Sequence, residues 1–438
     1  MKTSAKAIPV LLMGALIALS PPGPSAQEKS TLQKITLENG LTVITQKDGS
    51  SAVTVIEILI RGGQKAEPAG KEGLAYLTTR LSLEIPDMSK VQELMEKSSR
   101  YLMTSKGDYS IIHIECLSEF LEDTLDVFVR ILKEPLFSGM RIDRAKDYMN
   151  NQRKIESDDN LNVGHLTHLR TFLGHLGYGG TVYGTEESLK KIKSRDIEGF
   201  YKSAVAPANM TLLAISDLEG ERLAGILKRL FDTFPAGKPA EASTTNVSAT
   251  PVGGSSESVL EKDTKQALVS LGFALPKVSP KNYALSTLLE NLLGKGPGSL
   301  LWPLRTELKL AYNVNAQATV LKEGGILEAY LETDKAKTEA ARDALKKTLA
   351  ELYEKGVSVE VLRETMTFVR SNFLRTNETK DRRASTLCGF EALGLGYDYF
   401  GTYFNELAAV TPDEFNAYLK EVLDPGKSAL VIVGPKSR

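Results

Sequence analysis

The chain repeats itself. Residues Ile192–Ser216 align without a gap on Val410–Gly434. In both copies a helical pattern, with Phe200, Tyr201 and Lys202 or Tyr418, Leu419 and Lys420, runs to a proline, Pro207 or Pro425. A buried strand follows each, Thr211–Ile215 in one and Ala429–Val433 in the other. Self-similarity of this kind fixes an architecture before any single element does. The register extends backward. A strand pattern over Tyr109–Cys116 precedes a helix opening at Ser118, and one over Gly325–Leu331 precedes a helix opening near Asp334. Apolar residues then recur at helical spacing: Leu121, Leu125, Phe128, Val129 and Leu132, against Leu345, Leu349 and Leu352. Capping residues are expected to start both helices, and Gly356 to end the second. A further helix follows in each half, with Ile142, Ala145 and Met149 or Val361, Met366 and Val369. Each half is therefore an α+β unit of about two hundred residues, a normal domain size. Two such units, joined once, are expected to face each other with pseudo-symmetry.

The join reads as residues 236–258, where only Val247 and Val252 are strongly apolar, too few to offset the entropy of ordering. The domains are then 30–235 and 259–438. Residues 1–26 read as a signal peptide: Lys2 and Lys6, the apolar run Ala7–Leu19, then a small-residue and proline stretch to Ala26. That run is shorter than the roughly 20 apolar residues a spanning helix needs. Cleavage after Ser25 or Ala26 gives a secreted or periplasmic protein with no membrane span. With 54 Lys+Arg against 55 Asp+Glu, the chain shows no basic excess, and nucleic acid is not an expected partner. Cys116 and Cys388 are too few for a zinc cage or a disulfide framework and read as two buried thiols.

Several motifs now fall in order. The strands Leu41–Thr45 and Val53–Ile60 lead to Arg61-Gly-Gly63, and Gly73-Leu-Ala75 enters a helix. Tyr183–Leu189 and Leu304–Val314 come later. With the duplication, this order resembles the insulinase/pitrilysin-type zinc peptidases. Within that family it most resembles the short two-domain subunits typified by mitochondrial processing peptidase and its bacterial relatives. The resemblance implies two homologous α+β domains, each a mainly antiparallel sheet flanked by helices.

In catalytic members of that family Gly-Leu-Ala is followed by an inverted zinc motif, His-x-x-Glu-His. Two histidines four apart share a helix face and bind zinc, and the glutamate takes a proton from the bound water. Here the first histidine position is Tyr76, the glutamate is Thr79 and the second histidine is Arg80. A later glutamate ligand falls near Gln152. Arg80 would put a permanent positive charge where a dication belongs. The helix is better read as structure, with Leu74, Leu77 and Leu81 facing the core, and no zinc is expected on it.

The other candidates are weaker. The chain has four histidines. His165 and His168 are i,i+3 on a helical pattern, but no acid lies between Asp159 and Glu186, and Gly174 and Gly177 end the helix before His175. His113 and Glu115 share a strand face, expected to be the solvated one. Gly294–Ser299 is glycine-rich but lacks phosphate-loop spacing and reads as a turn between helices.

The second half keeps what the first has lost. The Leu304–Val314 stretch resembles the family's Arg/Tyr pair, which places Arg305 and Tyr312 as substrate-binding residues. A phenol can donate to the oxyanion of an attacked carbonyl, and a guanidinium can hold neighbouring carbonyls. Lys309 departs from the family pattern, where glycine usually stands. With the zinc half erased and the Arg/Tyr half kept, the chain resembles the non-catalytic partner in a heterodimeric peptidase. It is expected to bind no cofactor itself, to pair with a homologous zinc-bearing subunit and to act on a peptide or unfolded polypeptide. The alternative is a proteolytically inactive peptide-binding or scaffold protein of the same fold.

Overall fold

The computed structural model describes residues 32–235, 254–294 and 296–435. The expected signal peptide and positions 236–253 of the expected linker lie outside them. The first half runs β1 (Gln33–Thr36), β2 (Thr42–Lys47), β3 (Val53–Arg61), α1 (Leu74–Leu81), α2 (Met88–Glu96), β4 (Arg100–Ser105) and β5 (Tyr109–Leu117). It continues α3 (Leu121–Lys133), α4 (Gly139–Asp158), α5 (Asn160–Leu173), α6 (Glu186–Lys191), α7 (Ser194–Ala204), β6 (Met210–Ser216) and α8 (Gly220–Phe231). The second half runs β7 (Ser256–Glu261), β8 (Gln266–Leu275), α9 (Pro280–Gly294), α10 (Trp302–Thr306), β9 (Asn313–Leu321) and β10 (Gly324–Asp334). It ends α11 (Thr338–Lys355), α12 (Val359–Thr376), α13 (Lys380–Leu393), α14 (Tyr399–Ala409), α15 (Pro412–Val422) and β11 (Ala429–Gly434).

The duplication is visible in the sheets. The first is ordered β1-β2-β6-β3-β5-β4 and the second β7-β11-β8-β10-β9. Apart from β1 the orders correspond strand for strand. In each, the late strand of the half inserts between the first two: β6 is parallel to β2 and antiparallel to β3, and β11 is parallel to β7 and antiparallel to β8. The remaining pairs are antiparallel. The opening strands β2 and β3 are therefore not direct neighbours. Strand β7 begins at Ser256, within the stretch read as linker, because backbone pairing with β11 orders a segment with few apolar side chains.

The helices expected to open on capping residues do not. Short 3-10 turns, Ser118–Phe120 and Lys335–Lys337, precede α3 and α11, whose N-caps Phe120 and Lys337 make no side-chain cap bond. A tight turn feeding the helix satisfies the first backbone donors in its place.

Each sheet borrows a cover from the other half. One face of the first sheet packs Ile56, Ile58, Ile112 and Ile114 against Leu125 and Phe128 of α3 and Leu223 and Leu227 of α8. Its other face, with Ile44, Val55, Leu213 and Ile215, receives Ala384 and Leu387 of α13, from the second half. In return α5 of the first half lies on the second sheet, where Leu169, Phe172 and Leu173 meet Leu321, Ile326 and Ala429. Glycines permit the close approach: a Cβ on Gly272 of β8 would stand 2.3 Å from the His168 ring. Polar contacts fix the register of both borrowed helices. Lys380 is buried at the start of α13 and donates to the carbonyls of Ser51 and Val53, 2.7 and 2.8 Å away. Asn160 at the start of α5 donates to the Gln266 carbonyl.

Candidate functional site

Helix α1 carries the positions of the expected zinc motif. Gly73, in the left-handed region at φ 93°, turns the chain into it. The Glu67 carboxylate accepts from the Gly73 and Ala75 N–H groups, 3.0 and 2.8 Å away, and stands in for a side-chain cap. Burial pushes that carboxyl up to about 8, against the two donors. Leu74, Leu77 and Leu81 face the core, as their spacing predicts.

The residues at the motif positions are occupied with the fold itself. Tyr76 is buried and meets Tyr183 edge-on, with ring centres 4.8 Å apart. Its hydroxyl pKa is raised by burial and by the neighbouring phenols of Tyr148 and Tyr183. Thr79 turns its hydroxyl back to the Ala75 carbonyl at 2.9 Å, so it adds nothing to a ligand set. Arg80 lies over the Tyr148 ring, 3.9 Å from its centre, a cation–π contact on α4. Gln152 is half-buried one helical turn beyond Tyr148, and thus on the same face of α4. Three aromatic rings and a stacked guanidinium fill this face of the α1–α4 pair. A dication would meet a fixed positive charge, no imidazole and no carboxylate among the four positions. These residues do not fit zinc.

Arg305 and Tyr312 sit at the two ends of the turn between α10 and β9. Both are exposed. The Arg305 guanidinium lies over Trp302, 5.1 Å from the ring centre. The Tyr312 hydroxyl donates to both oxygens of Asp334, at 3.1 and 3.0 Å. That hydrogen bond, with the carboxylate's charge, raises the phenol's pKa and keeps it a donor. Each residue thus has its own local partner. Between them Lys309 stands in the left-handed region at φ 53°. This conformation lets the Leu310 N–H reach back 2.9 Å to the Leu304 carbonyl and reverse the chain after α10. The backbone asks for glycine there, and lysine supplies the shape under strain.

The histidines divide differently from their sequence spacing. His165 pairs with Glu328, and His168 bonds to the Ser270 hydroxyl at 2.9 Å, so the two engage separate strands of the second sheet. Burial lowers the His168 pKa to about 4. The helix ends at Leu173, and His175 follows in a separate turn. His113 corrects the expectation of a solvated strand face. It is only 3% exposed, because α13 covers that face of the first sheet. Its Nδ1 lies 3.1 Å from Glu57 Oε1, which also accepts from Ser385 of α13. Burial opposes protonation of His113, but the Glu57 bond and charge, with Asp381, leave its pKa raised. Glu57 and the α13 residues carried no mark in the sequence near His113, since the contact is made only on folding.

Cys116 and Cys388 are buried and free, in different core clusters: Cys116 packs with α3 on one face of the first sheet, and Cys388 with Leu59 and Tyr109 on the other. Burial raises both thiols, Cys116 to about 11.

Comparison with known proteins agrees with this geometry. Residues 42–177 match the family described as Insulinase (Peptidase family M16), and residues 191–367 match Peptidase M16 inactive domain. A non-peptidase homolog, YmxG of Helicobacter pylori, is 25% identical over 436 residues, covering 98% of both chains. Zinc protease PqqE of the same organism is 22% identical over 428 residues, covering 94% of this chain and 92% of its own. The crystal structure of a protease from Helicobacter pylori superposes with a TM-score of 0.85 at 16% identity, covering 93% of this chain and all of that one. With both halves matched and the same two-domain fold, the chain belongs to the insulinase family, peptidase family M16.

Proposed function

We propose that this chain is the non-catalytic subunit of an exported heterodimeric peptidase. A homologous subunit would bring the zinc, and this chain would present Arg305 and Tyr312 to an extended peptide or unfolded polypeptide. One observation carries the reading: the α1 positions are locked into aromatic packing, while the Arg/Tyr donors are exposed. The Tyr312 phenol, kept protonated beside Asp334, can donate to a developing oxyanion by turning its one O–H away from that carboxylate. Arg305 is suited to hold backbone carbonyls. The co-occurrence of a non-peptidase homolog and a zinc protease in one organism, both similar to this chain, supports a paired arrangement. Export rests on the Lys2–Ala26 leader pattern.

The test is co-expression with a homologous subunit that carries an intact inverted zinc motif. Alone, this chain should cleave no peptide. In the complex, Tyr312→Phe should lower turnover by about 10²–10³ if the donor is fully engaged. Arg305→Ala should also raise KM if the guanidinium holds ground-state carbonyls. Assembly and the partner's zinc should be intact in both. Chelator-sensitive hydrolysis by the lone chain, or unchanged turnover in both intact mutant complexes, rejects the proposal. The second outcome favours a scaffold, a reading already supported by the local partners, Asp334 and Trp302, that hold Tyr312 and Arg305.

A further inference from the structure

His113, Glu115 and Asp381 bring ligand atoms within 4.8 Å of one another. The first two lie on β5 of the first half and the third on α13 of the second. The cluster sits on the opposite face of the first sheet from α1. Met103, which packs with α1, pairs with Ile112 on the α3 side, whereas His113 points to α13. It is therefore unrelated to the Tyr76 positions.

The imidazole is prepared for a ligand. Glu57 accepts at Nδ1, which places the proton there and leaves Nε2 facing the two carboxylates. That Nε2 is buried and has no hydrogen-bond partner. It stands 3.4 Å from Asp381 Oδ1 and 3.9 Å from Glu115 Oε2. Ligand atoms about 2.0–2.2 Å from a tetrahedral zinc ion stand roughly 3.3–3.5 Å apart. The Nε2–Asp381 spacing already matches, and the Glu115 oxygen must close in on both the imidazole and the Asp381 carboxylate. A carboxylate behind the second imidazole nitrogen is the usual support of a metal-bound histidine. Ser385 fixes that carboxylate in turn, from the same helix as Asp381. The Glu115 and Asp381 side chains are 31% and 37% exposed, which leaves an entry path and a fourth position for water. The Arg100 guanidinium also holds Glu115 Oε2, at 2.5 Å, but its side chain is 59% exposed. Displacing a surface ion pair of this kind costs little.

We propose that His113, Glu115 and Asp381 bind a divalent transition-metal ion of the zinc class, with Glu57 as the orienting carboxylate, and that the ion clamps β5 of the first half to α13 of the second. Binding displaces to solvent any proton that the neighbouring carboxylates hold on Nε2, and the resulting neutral imidazole with two carboxylates balances the ion's charge.

The experiment uses the full mature chain, stripped with chelator and titrated with Zn²⁺ alone at pH 7.5 by calorimetry, with Tm followed in parallel. Wild type should take up about one ion per chain and gain Tm. Asp381→Asn, at a half-exposed position where folding is not at risk, should weaken binding at least tenfold and lose the Tm gain. Glu57→Gln should weaken it by about 10–100-fold. Arg80→Ala should leave the titration unchanged, which separates this site from the α1 positions and from any outcome of the peptidase test. Absence of saturable zinc uptake would mean that His113 is an imidazolium held by Glu57 and Asp381, and overturns the proposal. Uptake that Asp381→Asn and Glu115→Gln leave intact, or that Arg80→Ala alters, overturns it equally.

Discussion

At the scale of single residues, the positions expected to carry the zinc motif are held by packing. Tyr76 and Arg80 are fixed on α1 by ring contacts with Tyr183 and Tyr148. Lys309 holds a left-handed backbone shape that suits glycine better. A left-handed non-glycine residue costs about 1–2 kcal/mol, and glycine returns part of that gain through its freer unfolded chain. Lys309→Gly is therefore expected to stabilise the protein by about 0.5 kcal/mol. Urea unfolding of the two proteins at equal m-value reads this directly, and a destabilised variant would show that the Lys337 contact to the Lys309 carbonyl depends on the side chain. The positions Tyr76, Thr79 and Arg80 could be singled out in the sequence because they are local and sit at fixed spacing. What packs on them could not, because Tyr148 and Tyr183 reach α1 from distant segments.

At the scale of elements, α5 and α13 do equivalent work on opposite sheets, each with a polar group pressed into an apolar contact. For α5 that group is His168, fully buried against Ser270 with its pKa lowered to about 4. An unfolded histidine titrates near 6.5, so between pH 6.5 and 4 the unfolded chain binds a proton that the folded chain refuses. Stability from this group is complete above pH 6.5 and falls as pH drops toward 4, by up to about 3 kcal/mol. His168→Gln should remove that component, leaving a flatter unfolding profile over the same range. A profile identical to wild type would place the acid sensitivity elsewhere. Periodicity reveals α5 and the strands β2, β3, β5, β6, β10 and β11, since burial on one face leaves a local pattern, but α13 and the edge strands β1, β4, β7 and β9 are not read from it. Periodicity says that α5 has an apolar face but not which sheet receives it. Hence His165 read as lacking an acid, although Glu328 meets it from the other half.

At the scale of the whole molecule, the two halves cannot be separated into independent bodies. Cleavage within 236–253, where the composition offers few apolar anchors, should yield two fragments that elute together at the size of the intact chain. Size-exclusion chromatography after limited digestion reads this, and fragments that part without denaturant would contradict the reciprocal cover by α5 and α13. Each half expressed alone should aggregate, because one face of its sheet would be bare. The repeat pointed to duplicated units; it could not show that they trade helices, because trading changes no residue in either copy. The trade also bears on how a single half would behave: with its own helix held out toward a partner, it offers a bare sheet face that a second copy of the same half could cover by the same exchange.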